Sequence, residues 1–101
     1  MLAEFSVVPI GKGESVSKYV AECMKIVESS GLPYKINPMG TVLEGDYDEV
    51  MAVIRKCHVR VMELSPRVIT SVKIDDRMGV KNALEKKIAS VEEKVGKELQ
   101  K

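Results

Sequence analysis

Along LAEFSVVPI (2–10) the side chains alternate in character: Ala3, Phe5 and Val7 fall on one side, and Leu2, Glu4, Ser6 and Val8 on the other. A period of two predicts a strand with one apolar and one mixed face. Pro9 suits its end or an edge, because it has no N–H to donate. Past the glycines the period lengthens. Val16, Tyr19, Val20, Cys23 and Val27 recur at helical spacing, with Ser15 placed to cap the helix and Gly31 to stop it. LPYKIN (32–37) and GTVLEG (40–45) are short extended runs joined by a turn around Pro38, Met39 and Gly40, which predicts a hairpin. Asp46 and Glu49 have the offset of a capping box, and Tyr47, Val50, Met51, Ile54 and Val61 predict a helix over 47–62. Ser65 and Pro66 interrupt it. RVITSVKIDD (67–76) predicts a strand with Val68, Thr70, Val72 and Ile74 on one face and Ile69, Ser71, Lys73 and Asp75 on the other. Leu84, Ile88, Val91, Val95 and Leu99 predict a last helix over 80–99.

The order β-α-β-β-α-β followed by a helix is the ferredoxin-like arrangement: an α+β fold with an antiparallel sheet and an added C-terminal helix. At 101 residues the chain suits a single domain over 1–101. Two helices on one side leave the other face of the sheet uncovered, yet that face carries Leu2, Val8 and several β-branched residues. A half-apolar sheet face finds a partner. The last helix would cover part of it, and a second copy of the chain is the more economical cover, so a homo-oligomer, a dimer or a tetramer, is expected.

Composition narrows the partners. The formal net charge is +1, with 31% charged and 45% hydrophobic residues, so no global field draws nucleic acid or an anionic membrane. No apolar run approaches the roughly 18–20 residues that span a bilayer, and the N-terminus has Glu4 in place of a basic leader region. A cytoplasmic protein is expected. Cys23 and Cys57 are far apart in sequence and fall on apolar helix faces. They read as buried free thiols in a reducing compartment, with a disulfide between neighbouring helices as the alternative.

Catalytic arrangements are sparse. His58, the single histidine, has no Cys/His/Asp cluster around it in sequence and reads as a helix-flank residue. Ser65 lacks a nucleophile elbow. GKGES (11–15) departs from the phosphate-binding loop pattern and reads as a turn leading into a helix. The RNA-recognition motif shares this topology but stacks bases on aromatic residues of its sheet. Here only Phe5 and Tyr34 lie in strands, and Phe5 faces the core. Glu44 is the more informative residue. By alternation it shares a face with Val42, while Thr41 and Leu43 share the other, and Glu4 and Ser6 lie on the mixed face of the neighbouring strand. A carboxylate buried there needs a partner. Lys35, Lys73, Arg77 or water would serve. So would an amidine-like ligand such as an aminopyrimidine, whose ring nitrogen and exocyclic amine match two carboxylate oxygens.

The stretches VVPIGKGESVSKYV (7–20), SGLPYKINPMGTVLEGDYDEVMAVI (30–54) and RVITSVKIDDRMG (67–79) resemble a family of small cytosolic thiamine-binding ferredoxin-like proteins. The resemblance implies dimers and tetramers, with a pocket at the dimer interface for thiamine or its hydroxymethylpyrimidine moiety. Carried onto this sequence, Glu44 would receive the aminopyrimidine, Thr41 and Ser6 would be nearby hydrogen-bonding groups, and Met39 and Tyr34 would form apolar or stacking walls. It implies a binding protein with no catalytic residue, metal or resident cofactor. The alternatives are an enzyme acting on a related small molecule, with Glu44 or His58 as acid or base, and an oligomer without a specific ligand. The half-apolar sheet face predicts that size-exclusion chromatography with light scattering at micromolar concentration gives a mass of two or four chains. A sharp monomer peak would refute the oligomer.

Overall fold

A computed structural model describes residues 1–11, 13 and 16–78. The chain runs through β1 (Leu2–Pro9), α1 (Ser17–Ser30), β2 (Tyr34–Asn37), β3 (Gly40–Glu44), α2 (Tyr47–Leu64) and β4 (Val68–Asp75). The helix expected over 80–99 lies outside the described residues, as does Ser15. The strands form one antiparallel sheet in the order β2-β3-β1-β4, as the ferredoxin-like reading requires.

The alternation in β1 sorts its residues as expected. Ala3, Phe5 and Val7 are buried and meet Leu43 of β3, Tyr19, Cys23 and Val27 of α1, and Val50, Val53, Ile54, Cys57 and Val61 of α2. Pro9 is tolerated for a reason of phase. The Ile10 N–H donates to the Arg67 carbonyl at 2.9 Å. In an antiparallel ladder a residue sends both backbone groups to one side and its neighbours send theirs to the other. Pro9 therefore sits where β4 asks for no donor.

Two residues assigned to the apolar stripes belong to the surface. Val20 is 42% exposed and Tyr47 is 55% exposed. The buried stripe of α1 is the narrow line Tyr19, Cys23, Val27, spaced by four, and Val20 lies one residue round the helix from it. Tyr47 is the first residue of α2, ahead of Val50, where that helix meets the core. The N-cap of α1 is Val16, not Ser15, and it supplies no side-chain cap. The helix starts instead on the Val16 carbonyl, which accepts from the N–H groups of Tyr19 and Val20 at 3.0 Å each. At α2 the expected capping box forms, and the Glu49 carboxylate accepts the Asp46 N–H at 3.3 Å. Gly31 ends α1 in the left-handed region, with φ 75°.

Polar contacts register the two helices on the sheet. Arg60 Nε of α2 reaches Glu22 Oε2 of α1 at 3.3 Å. Hydrogen bonds from Arg60 and then Lys25 hold the Glu22 carboxyl below the usual carboxylate range. The His58 Nδ1 and Thr70 Oγ1 atoms share a 2.6 Å hydrogen bond, which ties α2 to β4. The cysteines are free and buried on facing helices, with the Cys57 thiol 3.6 Å from the Cys23 carbonyl oxygen.

No described helix covers the second face of the sheet. Cross-strand pairing lines up Glu4 with Val42 and Lys73, Ser6 with Ser71, and Leu2 with Glu44 and Asp75 on that face. The division between core and surface yields a paired expectation in urea unfolding. Leu43 is wholly buried, so Leu43→Ala should lower stability by about 2–5 kcal/mol. Val20→Ala should stay within about 0.5 kcal/mol of the parent.

Candidate functional site

The site begins with a mismatch of strand lengths. β1 pairs with β4 from Leu2 to Pro9, but with β3 only from Leu2 to Phe5, where Phe5 stands opposite Thr41. Among the described residues, Ser6, Val7 and Val8 therefore run on with no strand on the β3 side. The first turns of α1 and the tip of the β2–β3 hairpin flank this stretch and enclose a groove of about 640 Å³. Ser6, Val7 and Val8 form its floor. Val20, Ala21 and Met24 stand on one side and Ile36 to Thr41 on the other. Gly40 is needed at the mouth, because a Cβ there would fall 2.9 Å from the Phe5 carbonyl oxygen. Among the described residues, no Asp, Glu, Lys, Arg or His lines the groove.

Three of the five residues expected at a site, Ser6, Met39 and Thr41, meet here. Thr41 is buried, and its hydroxyl donates to Met24 Sδ at 3.8 Å. A thioether is a weak acceptor, so this hydroxyl is readily redirected. Met39 sits at the hairpin tip, 85% exposed, with its N–H donating to Asn37 Oδ1 at 3.1 Å. Ser6 also borders a depression of about 120 Å³ on the open sheet face, beside Glu4, Ser71 and Lys73.

Glu44 and Tyr34 lie elsewhere. Glu44 stands opposite Leu2 at the far end of β3, three residues from Thr41 and so roughly 10 Å along the strand. Alternation holds: Glu44 is on the open face with Glu4 and Ser6, while Thr41 faces the helices. Tyr34 pairs with Leu43 on β2, at the sheet edge, and looks to the helix side. Within one subunit, neither of them lines the groove.

Met24 and Asn37 were missed. Met24 falls between the stripe positions of α1, and Asn37 reads as a turn residue. The usable signal was length: an eight-residue strand beside a five-residue one must leave part of its edge unpaired.

The other candidates resolve into structural roles. Ser65 is buried and its hydroxyl donates to the Arg67 carbonyl at 3.1 Å, closing the turn into β4. Gly11 and Gly13 have φ of 80° and 86°, the backbone of a turn. Among the described residues, no three His, Cys, Asp or Glu side chains are grouped to hold a metal ion, and no helix is long and apolar enough to cross a membrane. A shallower cavity of about 320 Å³ between the outer sides of α1 and α2 is lined by Glu22, Lys25, Lys56 and Arg60, in which Glu22 already pairs with Lys25 and Arg60.

Comparison with known proteins gives a consistent result. A family model described as thiamine-binding protein matches residues 3–92. A UPF0045 protein of Methanocaldococcus jannaschii is 41% identical over 93 residues, covering 92% of this chain and 93% of that one. The UPF0045 protein YqgV of Bacillus subtilis is 38% identical over 96 residues, covering 89% and 92%. The crystal structure of the M. jannaschii protein matches with a TM-score of 0.85 over 91% of this chain and 95% of that one. A Thermotoga maritima protein, provisionally assigned to thiamine biosynthesis or salvage, matches with a TM-score of 0.79 at 20% identity, over 89% and 96%, a likeness that bears on the fold alone.

Cys23 lines the groove and Cys57 is fully buried behind it. The hydrogen bond with Cys23, and burial, push the Cys57 thiol well above the usual thiol range. Brief alkylation of the native protein with iodoacetamide, read by mass spectrometry, should therefore label Cys23 first. Cys57 should label only on unfolding. Equal labelling would show the helix pair to be open.

Proposed function

The chain belongs to the thiamine-binding protein family, and on that premise we propose that it binds thiamine or its hydroxymethylpyrimidine moiety and does not transform it. The observation that carries this reading is the family match over residues 3–92 together with a groove into which three of the expected residues converge. The pyrimidine end lies in the groove. Thr41 offers its hydroxyl to it, Ser6 borders it from the open side of β1, and Met39 closes over its mouth.

The charge of the lining supports this orientation. Burying an unpaired ion costs several kcal/mol or more, and among the described residues the groove has no charged side chain to set against a thiazolium or a phosphate. The charged end of a thiamine-like ligand therefore points outward. Binding is favoured over catalysis because Cys23 is the one ionisable side chain in the lining among the described residues.

The carboxylate contact falls to Glu44 across a subunit interface, because within one subunit β3 holds it away from the groove. Two copies associate through their open sheet faces, on which Glu44 already lies, while Tyr34 stays on the helix side of the sheet edge. Such a homo-oligomer would buffer or deliver its ligand in the cytoplasm.

Isothermal titration calorimetry with hydroxymethylpyrimidine, thiamine and thiamine diphosphate tests the reading. Saturable binding is expected at one ligand per subunit or per two subunits. Glu44→Gln should weaken it by roughly 1.5–3 kcal/mol, the value of a hydrogen bond to a charged group, and Thr41→Val by roughly 0.5–1.5 kcal/mol. Unchanged affinity in Glu44→Gln would remove that residue from recognition. No heat and no thermal shift with any of the three would overturn the function.

A further inference from the structure

We propose that the main chain of Val7 reads the ligand, presenting its N–H and C=O side by side to a ring nitrogen and the adjacent exocyclic amine of the pyrimidine. The proposal rests on the ligand reading above and adds to it a recognition element that no side chain provides.

Two hydrogen bonds fix the phase of β1. Ile10 N–H donates to Arg67 at 2.9 Å, which turns the even residues toward β4. The Met1 carbonyl accepts from Gly45 N–H at 3.1 Å, which turns the odd residues toward β3. The approach of the Phe5 carbonyl to Gly40 agrees with that assignment. Met1, Ala3, Phe5 and Val7 thus aim both backbone groups at the β3 side.

The ladder stops one step short of Val7. Phe5 is paired with Thr41, so continuing the register would set Met39 opposite Val7. The chain turns there instead, and the Met39 N–H is spent on Asn37 Oδ1. Among the described residues no strand takes Met39's place, and Val7 is one of the residues that line the groove. Pro9, the next residue in phase, has no N–H. Val7 is therefore the last donor on this edge.

Buried peptide groups are almost always paired, with protein, water or ligand. In extended backbone the N–H and C=O of one residue lie nearly parallel, as an edge that a neighbouring strand would normally meet. An aminopyrimidine offers the complementary edge: a ring nitrogen that accepts and an amine that donates. The second ring nitrogen lies on a different edge of the ring and, in its protonated form, donates to the Glu44 carboxylate, so the two contacts do not compete.

Amide hydrogen exchange by NMR on the full-length protein, with hydroxymethylpyrimidine as the probe, tests the proposal. In the free protein the Val7 amide should exchange at least about tenfold faster than those of Phe5 and Val8, whose groups are committed to ladders. Saturating probe should shift the Val7 resonance and slow its exchange by about tenfold or more. Equal protection of Val7, Phe5 and Val8 without ligand would mean that the edge is already paired and would overturn the proposal. If calorimetry on the same sample records binding while the Val7 amide does not respond, the proposal falls and the ligand reading stands. If the probe does not bind at all, both fall.

Discussion

The architecture depends on how β1 satisfies its backbone. On one side it meets β4 along its whole length. On the other it meets β3 for only half of it. A fully paired central strand would leave no space between sheet and helix. Here the hairpin turns early, at Pro38 and Met39, and the mouth this opens needs Gly40 because a Cβ would strike the Phe5 carbonyl. The groove is thus a consequence of hydrogen-bond register as much as of side-chain size. It is placed where backbone polarity and apolar walls meet, the usual chemistry of a small-molecule pocket.

A groove defined by a strand edge is only as stable as the helix that walls it. α1 is held along one line by Tyr19, Cys23 and Val27 in the core, and across to α2 by Glu22 with Arg60. The core contacts carry most of this, since an ion pair at the surface contributes about 0–1 kcal/mol. The bond between His58 and Thr70 fixes α2 against β4 on the side away from the groove. Packing therefore sets the distance between α1 and the sheet. The groove-lining residues Val20 and Met24 sit at the margin of that packing, free of the closest core constraints.

The topology was legible because each element has a strong period. The alternation in β1, the capping box at Asp46 and the breaks at Gly31 and at Ser65–Pro66 each specify a boundary on local grounds. Val20 and Tyr47 were misplaced because a hydrophobic stripe read from sequence is wider than the face that packs. A residue one position off the line Tyr19, Cys23, Val27 carries the same apolar letter whether it enters the core or rims a cleft. The cap of α1 was misread because a serine before a helix is a common signal, while the actual start lies on a main-chain carbonyl. The faces of the strand residues were legible from alternation, and Glu44 shares its face with Ser6. Their convergence was not legible, since it depends on a register that only pairing reveals.

Charge is distributed between the two sides of the sheet in a way that bears on assembly. The helix side holds the groove, whose lining among the described residues carries no charge. The open side holds Glu4, Lys73, Glu44 and Asp75 in neighbouring strands, interleaved with Ser6, Ser71, Val8 and Ile69. Opposite charges such as Glu4 and Lys73 stand directly across from one another, so much of the local field is balanced within the face itself. A mixed surface of this kind associates through register-specific polar contacts more readily than through bulk hydrophobic area. Ser6 borders the cavities on both sides. A ligand lodged against it on the helix side would therefore lie within one strand's thickness of the open face, so a change at the groove reaches that face through a single strand.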